Sequence, residues 1–341
     1  MLEHRMQETM CIDSLIDLFH QKGQSIDMIH ENVNNVFHNT VDKIIVEQRI
    51  KIIIPKYQYV LSSLLKNRGV EQKTDAWYKA RKSLITASDF AQALGEGKFG
   101  TQKQFYQKKC GYEVDNFDPY IPPLKWGCMF EDVATRIYAK RNYVTVHEFG
   151  LLKHPSIDYL GASPDGITEH GIMLEIKCPF KRKITGEIPV QYYYQVQGQL
   201  DVCNLDECDY LECDFAIVKH SDEFWASYND IAYEQGMIAE YEKDGSPVYK
   251  YSPTICSMDE LLEWESQHTD ATIIHMWRLR QYNVVRVYRD LDFIASKVDQ
   301  LKDVWDNVVR YRNDKSAYDR ETMNKKKKNV VVSTESYSFR C

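Results

Sequence analysis

The sequence has no uninterrupted apolar run long enough to span a bilayer, which excludes a helical membrane span within it. Its opening residues, Met1-Leu2-Glu3-His4-Arg5, mix charges and are not followed by a secretory apolar stretch, so a soluble, intracellular protein is expected. If the source is viral, that means host cytoplasm, nucleus or virion. Paired Cys-x-x-Cys ligands are missing among the 9 cysteines. Cys203, Cys208 and Cys213 stand at equal spacing, which matches no zinc pattern, and the thiols are expected reduced and semi-buried rather than bridged. A basic excess is missing too: the net charge of −7 argues against a broad phosphate-binding surface. It leaves room for a narrow basic channel, and clustered carboxylates are what a metal site requires. No internal repeat is visible. What remains is an ordinary globular composition, 43% hydrophobic and 27% charged, over 341 residues, enough for one or two domains with a sizeable core.

Residues 1–73 read as a helical region, with Ile12, Leu15, Ile16 and Phe19, then Val33, Val36, Phe37 and Val41, at helical spacing. From 74 the character changes: most glycines and prolines fall here, and helix and strand signals alternate as a layered α/β fold requires. This core is expected to run to 254. A helical C-terminal region is expected over 255–320, opened by a Ser257/Glu260 capping box before Leu261, Leu262 and Trp264. It continues through Leu291, Ile294, Val298, Leu301, Trp305 and Val308, an apolar stripe that needs a core or a partner helix. Residues 321–341, with Lys325 to Lys328, read as a basic, disordered tail.

The chemistry is concentrated in Ser163-Pro164-Asp165-Gly166 and Glu175-Ile176-Lys177, joined through turn-forming Glu169-His170-Gly171. This predicts a β-hairpin whose second strand points Leu174, Ile176 and Cys178 to one face and Glu175 and Lys177 to the other, near Asp165. Two carboxylates supply hard oxygen ligands for magnesium. Such a metal polarises a phosphate and generates a hydroxide-like nucleophile. Lys177 then holds or deprotonates the water and offsets charge building on phosphorus. A D…ExK pattern alone also fits an exposed ion pair. The apolar flank Ile172-Met173-Leu174 and Ile176 argues instead for a largely buried strand, where idle charges are costly.

Three further segments sit where a nuclease needs them. Trp126-Gly127 leads to Glu131, beside the helical stripe Val133, Ala134, Ile137 and Tyr138, and Glu131 is either a metal-side acid or a helix-surface glutamate. Pro189 opens a helix with Tyr193, Val196 and Leu200 on its apolar side and Tyr192, Gln195 and Gln199 on a polar one, suited to positioning water and phosphate oxygens or simply solvated. Thr86, with Asp89 at the reciprocal position, reads as a helix N-cap, and with Arg81 and Ser88 it would complete a phosphate pocket. In isolation, Arg81 reads first as the partner of an acid.

The order Trp77…Arg81…Ile85-Thr86-Ala87-Ser88, Trp126-Gly127…Glu131, Ser163-Pro164-Asp165-Gly166, Glu175-Ile176-Lys177-Cys178-Pro179 and Tyr192…Gln195-Val196-Gln197 resembles the phage lambda-type exonucleases, also called YqaJ-like viral recombinases. The resemblance covers about 74–215. It implies a PD-(D/E)xK, restriction-endonuclease-like core, a central mixed sheet flanked by helices, here with helical N- and C-terminal additions. It implies Asp165, Glu175 and Lys177 as catalytic core, Tyr192 and Gln195 as a further motif, and Asp165, Glu175, Glu131 and the Ile176 backbone carbonyl as metal ligands. It implies Mg2+, replaceable by Mn2+, in a two-metal site, and a 5′-phosphate pocket from Arg81, Ser88 and Thr86. The expected substrate is the end of double-stranded DNA, degraded 5′ to 3′ during viral recombination, repair or replication, with a single-strand annealing protein as a partner of such enzymes. The chain departs from the family in its extra helical sequence at both ends, so a homo-oligomer like the trimeric ring of relatives is left open rather than assumed. The four-cysteine spacing of relatives with an iron–sulfur cluster is absent, and no cluster is expected. The length resembles proteins of large DNA viruses more than compact phage enzymes.

Within the same fold, an endonuclease or junction resolvase is the rival reading, disfavoured by a pocket for a terminal phosphate. A DNA-binding scaffold without catalysis would gain nothing from acids facing phosphate. A helical interaction protein would leave the centre of the chain unexplained.

Overall fold

The computed structural model describes residues 2–22, 24, 26–37, 45–46, 49–50, 55–98, 100–112, 118–228, 234–254 and 256–329. The start of the chain is helical, with α1 (Leu2–Gln21), α2 (Ile26–Val36) and α3 (Pro55–Lys66). Ile12, Ile16, Ile29 and Val33 close a small core between α1 and α2, as their three-and-four spacing dictates. Val36 instead faces solvent, and Val41 lies outside the described residues. Leu61 of α3 reaches into the main core beside Phe149 and Leu152.

The chain then runs through α4 (Asp75–Lys82), β1 (Ile85–Thr86), a 3-10 turn (Ala87–Asp89), α5 (Phe90–Ala93), α6 (Gln102–Cys110) and α7 (Pro122–Asn142). Short strands follow: β2 (Val146–His147), β3 (Leu152–Lys153), β4 (Leu160–Ala162), β5 (Gly166–Thr168) and β6 (Met173–Lys177). After α8 (Val190–Cys203) come β7 (Glu207–Ile217), α9 (Ser221–Ala226), β8 (Gln235–Lys243), β9 (Ser246–Tyr251), α10 (Met258–Ser266), β10 (Ile273–Tyr288), α11 (Leu291–Asn313) and α12 (Lys315–Asn329).

The main sheet has seven strands in the order β2-β5-β6-β7-β10-β8-β9, and a three-stranded sheet has the order β1-β4-β3. In the main sheet only β6 and β7 run parallel, and α8 makes the crossover that a parallel pair requires. The sheet is sandwiched. On one face, Leu174, Ile176, Leu211 and Phe215 meet Phe130, Val133, Ile137 and Tyr138 of α7. On the other, Met173, Cys208 and Tyr210 meet Val196 and Leu200 of α8. Period-two alternation along β6 and β7 fixes both faces at once. This is the mixed α/β architecture expected, with helices on both sides of a mixed sheet.

Two expectations for the C-terminal part need correction. The stretch 255–320 is not all helical: β10 is a 16-residue strand lying between β7 and β8. Its alternation was legible, with Trp277 and Leu279 buried on either side of Arg278, but the flanking helical stripes dominate that window. The tail expected from 321 is helical through Asn329, because α12 packs back on α11: Glu321 accepts a bond from Arg310 at 2.6 Å and from the Tyr311 hydroxyl at 2.8 Å. Residues 330–341 lie outside the described residues. The α11 stripe does find a core, with Phe293, Leu301, Val304 and Val308 packing beside Phe90, Phe105 and Tyr194. Cys203, Cys208 and Cys213 are buried thiols in apolar clusters, with Cys208 and Cys213 on opposite faces of the sheet.

Candidate active site

The β5–β6 hairpin forms as the turn chemistry dictates. Gly171 takes a positive φ of 76°, and the Thr168 hydroxyl accepts a bond from the Ile172 N–H at 3.1 Å. Gly166 is required for a different reason: a Cβ there would lie 2.4 Å from Val146 Cγ1 on β2. The tight approach leaves Asp165 at the mouth of the hairpin, where its Oδ2 accepts the Ile176 N–H at 2.7 Å. One residue before, Glu175 is fully buried on the α8 face. Its Oε1 accepts from the Lys177 ammonium, and its Oε2 accepts from Gln199 Nε2 at 2.7 Å. Gln199 also donates to the Ser163 carbonyl at 3.3 Å, tying α8 to both strands of the motif. Lys177 lies over the Tyr192 ring, 4.8 Å from its centroid.

Charge in this cluster is unbalanced. Burial, then the charges of Glu175 and Glu131, push the Asp165 carboxyl well above the usual carboxylate range. Burial drives the Lys177 ammonium down, but Glu175 and Asp165 more than offset it and hold it above its ordinary value. Glu131, on α7, accepts from Lys73 at 3.2 Å, and both line an open pocket of about 660 Å3 together with Asp165, Glu148, Arg136 and Tyr251.

A metal fits this donor set. Among the described residues no group of three or more His, Cys, Asp or Glu side chains stands already at coordinating distance. Asp165 nevertheless carries the repulsion of Glu175 and Glu131, which Lys177 and the Ile176 N–H only partly offset, and hard oxygens at a polar pocket suit magnesium rather than a softer ion.

A second cluster lies alongside. Trp77 on α4 donates its indole N–H to Ser163 Oγ at 3.0 Å, and Arg81, one turn on, stacks over the Trp77 ring at 4.4 Å. The Arg81 guanidinium donates to Ser88 Oγ at 3.0 Å, and the Ser88 and Thr86 hydroxyls lie 3.1 Å apart. Thr86 and Asp89 do form the expected reciprocal cap, with the Asp89 carboxylate accepting the Thr86 N–H at 3.2 Å. It closes a single 3-10 turn leading into the four-residue α5. Asp89 is buried against Lys109 at 2.7 Å and Lys108 at 3.5 Å. Burial works to raise its carboxyl, but Lys109, Lys108 and Arg81 together hold it far below the usual range. Burial lowers the Lys109 ammonium to about 8 against the pull of Asp89.

The fold therefore brings Asp165, Glu175, Lys177 and Tyr192 together, sets Glu131 across the pocket, and gathers Arg81, Ser88 and Thr86 nearby. The Ile176 backbone, expected to offer its carbonyl, meets Asp165 through its N–H. Gln195 is half-buried and makes no hydrogen bond among the described residues. Gln199, one turn along the same stripe, is the amide that grips Glu175. Sequence reasoning placed Gln199 on the polar face without assigning it to the site, although its i, i+4 relation to Gln195 was the available signal. Lys73, Lys108 and Lys109 gave no sequence signal, since they come from outside the motifs they neutralise.

The segment that carries these residues is similar to known proteins. Residues 76–206 match the YqaJ-like viral recombinase domain. An uncharacterized protein of Acanthamoeba polyphaga mimivirus is 27% identical over 303 residues, covering 73% of this chain and 54% of its own length. A protein of African swine fever virus is 26% identical over 161 residues, covering 38% of this chain and 46% of its own. The chain thus spans about half the length of the curated relatives it matches. An alkaline exonuclease from Laribacter hongkongensis matches 74% of this chain and 99% of its own, at 19% identity and a TM-score of 0.46. A phage-related exonuclease from Haemophilus somnus matches 67% of this chain and 93% of its own, at 10% identity and a TM-score of 0.37. Every candidate from Arg81 to Gln199 falls inside the segment that is similar to the YqaJ-like viral recombinase domain.

Proposed function

We propose that this protein is a metal-dependent deoxyribonuclease that degrades double-stranded DNA from 5′-phosphorylated ends, 5′ to 3′. The observation that carries the reading is the convergence of Asp165, Glu175 and Lys177 on one hairpin, with Glu131 close enough to raise the Asp165 carboxyl. Asp165, Glu175, Glu131 and the Ile176 carbonyl would hold magnesium, with manganese as a substitute. When bound, the ion supplies Lewis-acid polarisation of the phosphate. The chain's own residues supply the rest. Gln199 and Lys177 fix the Glu175 carboxylate from both oxygens. Lys177, its ammonium held above the ordinary value, is a cation at neutral pH. That suits it to offset negative charge growing on phosphorus, rather than to take a proton from water.

The direction of digestion rests on Arg81. Its guanidinium, stacked on Trp77, donates to the Ser88 hydroxyl, and Trp77 in turn bonds the Ser163 that leads into Asp165. A terminal phosphate held by Arg81, Ser88 and Thr86 would set the adjacent phosphodiester toward the acids. An enzyme cutting internally has no use for that pocket. The test is digestion of a linear duplex with a 5′-phosphate at one end and a 5′-hydroxyl at the other, in Mg2+ and in EDTA. Metal-dependent loss from the phosphorylated end is expected for the wild type and not for Glu175→Ala. Equal cutting of a closed circle would replace this reading with an endonuclease. Tight binding without cleavage would replace it with a scaffold.

A further inference from the structure

Beyond the hairpin, β6 runs into Cys178-Pro179-Phe180-Lys181-Arg182-Lys183, a segment that the site chemistry does not use. Phe180 is 38% exposed, unusual for a phenylalanine three residues from a buried catalytic strand. It is the outer end of an aromatic column. Its ring packs on Trp126 at 5.5 Å, Trp126 packs on Phe130 at 4.6 Å, and Phe130 stacks on Phe215 of β7 at 4.4 Å. The ring is therefore backed by the core while its outer face is open.

The cations beside it are divided. Arg182 is turned inward and clamped by Glu212, a fully buried carboxylate that also accepts from the Tyr210 hydroxyl at 3.1 Å. Lys181 and Lys183 are turned outward and make no ion pair among the described residues. Lys181 sits 5.4 Å from the Phe180 ring centroid. Across the segment, Arg182 and Lys177 share the Tyr192 ring at 5.9 and 4.8 Å, so this basic strip is continuous with the candidate active site. In a chain of net charge −7, two outward cations just after a partly exposed ring form a local exception.

We propose that Phe180, with Lys181 and Lys183, is a stacking site for an unpaired DNA strand passing the active site, a base lying on the ring and the adjacent phosphates meeting the lysines. The proposal rests on the nuclease reading for its place in the reaction, and its chemistry is independent of it. A base offers a flat π-face and each nucleotide one negative charge, which is what a ring beside exposed cations can bind without regard to sequence. A protein partner would need more apolar surface than one ring and would gain little from uncompensated lysines. The inward Arg182–Glu212 clamp holds the strip in place before DNA arrives, so little ordering cost remains.

The experiment is anisotropy of a labelled oligothymidylate titrated with the full chain in EDTA, where hydrolysis cannot proceed. Phe180→Ala is expected to weaken binding about tenfold, Phe180→Trp to retain it, and Phe180→Leu to behave like the alanine variant. Lys181→Gln with Lys183→Gln is expected to reduce the slope of log affinity against log salt by about 1.4, near 0.7 for each phosphate no longer neutralised. Wild-type affinity in Phe180→Leu would overturn the proposal in favour of a generic apolar docking patch, and so would affinities within twofold across all variants. Duplex digestion in Mg2+ is read separately. A wild type that binds through Phe180 yet digests nothing keeps the stacking site and removes the nuclease reading. A wild type that digests duplex while Phe180→Ala binds undiminished loses only the stacking site.

Discussion

Two carboxylates of this protein, Asp165 and Asp89, have opposite surroundings. Asp165 has two other acids in its field, and its carboxyl is pushed up. Asp89 has Lys109, Lys108 and Arg81 in its field, and its carboxyl is pushed far down. The first cluster is short of positive charge and open to a polar pocket. The second has three cations for one acid and opens to solvent through Arg81 and Ser88. Such imbalances concentrate where a ligand cancels them, and structural ion-pair networks produce them too. On the proposed function, the Asp165 side suits a cation and the Asp89 side an anion. A nuclease gripping a terminal phosphate with a metal beyond it needs both.

The sharpest way to break this comparison is to remove one acid from each side. Glu175→Ala is expected to lower the rate of duplex digestion by on the order of 10^3-fold, as loss of a central electrostatic group does. Its fold should remain, since the Lys177 side chain is 22% exposed and Gln199 keeps its bond to the Ser163 carbonyl. Asp89→Ala should do the reverse. Leaving Lys109 buried without its partner is expected to cost about 3–5 kcal/mol in denaturant unfolding. If Asp89→Ala proved as stable as wild type, the cation-rich cluster would not be a structural unit.

Arg81 joins the two sides, and a smaller effect is expected from it. Arg81→Lys keeps the charge but loses the planar fork and the stack on Trp77. It should erase most of the preference for a 5′-phosphorylated over a 5′-hydroxyl end, roughly 10-fold in KM, with kcat changing less. A loss confined to kcat would place Arg81 at the reacting phosphate instead of the terminal one. Gln199→Leu is expected to lower kcat by about tenfold, because Glu175 loses the bond that orients one oxygen. An unchanged rate would return that orienting role to Lys177 alone.

Much of this was legible in the sequence, and the reason is local. The hairpin follows from Glu169-His170-Gly171, the sorting of Leu174 and Ile176 away from Glu175 and Lys177 from strand alternation, and α10 from the Ser257/Glu260 capping box, all set by residues within a few positions. What escaped depends on distant residues meeting. Gln195 and Gln199 are equivalent as letters on one helical stripe, and only the crossing of α8 over β6 decides which reaches Glu175. Lys109 neutralises an acid 20 positions earlier because α6 packs beside α4, which no periodicity encodes. β10 was hidden between two strong helical patterns, although it joins β7 to β8 in the main sheet.

The last comparison is pH, where the two acids should give slopes of opposite sign. Asp89, depressed in the folded state, contributes stability that is present above the ordinary carboxylate range and lost as pH falls through it toward the lower folded value. Asp165, raised in the folded state, contributes stability that is present below the ordinary range and lost as pH climbs through the higher folded value. In EDTA, the wild-type Tm should therefore decline as pH rises past the usual carboxylate range, and Asp165→Asn should remove that decline, gaining roughly 2–4 °C at neutral pH. Added Mg2+ should restore the wild type by an amount that grows with pH, because the ion binds the ionised acids, and leave Asp165→Asn nearly unchanged. A wild-type Tm that ignores Mg2+ at every pH would mean that the crowding of acids around Asp165 serves something other than a cation.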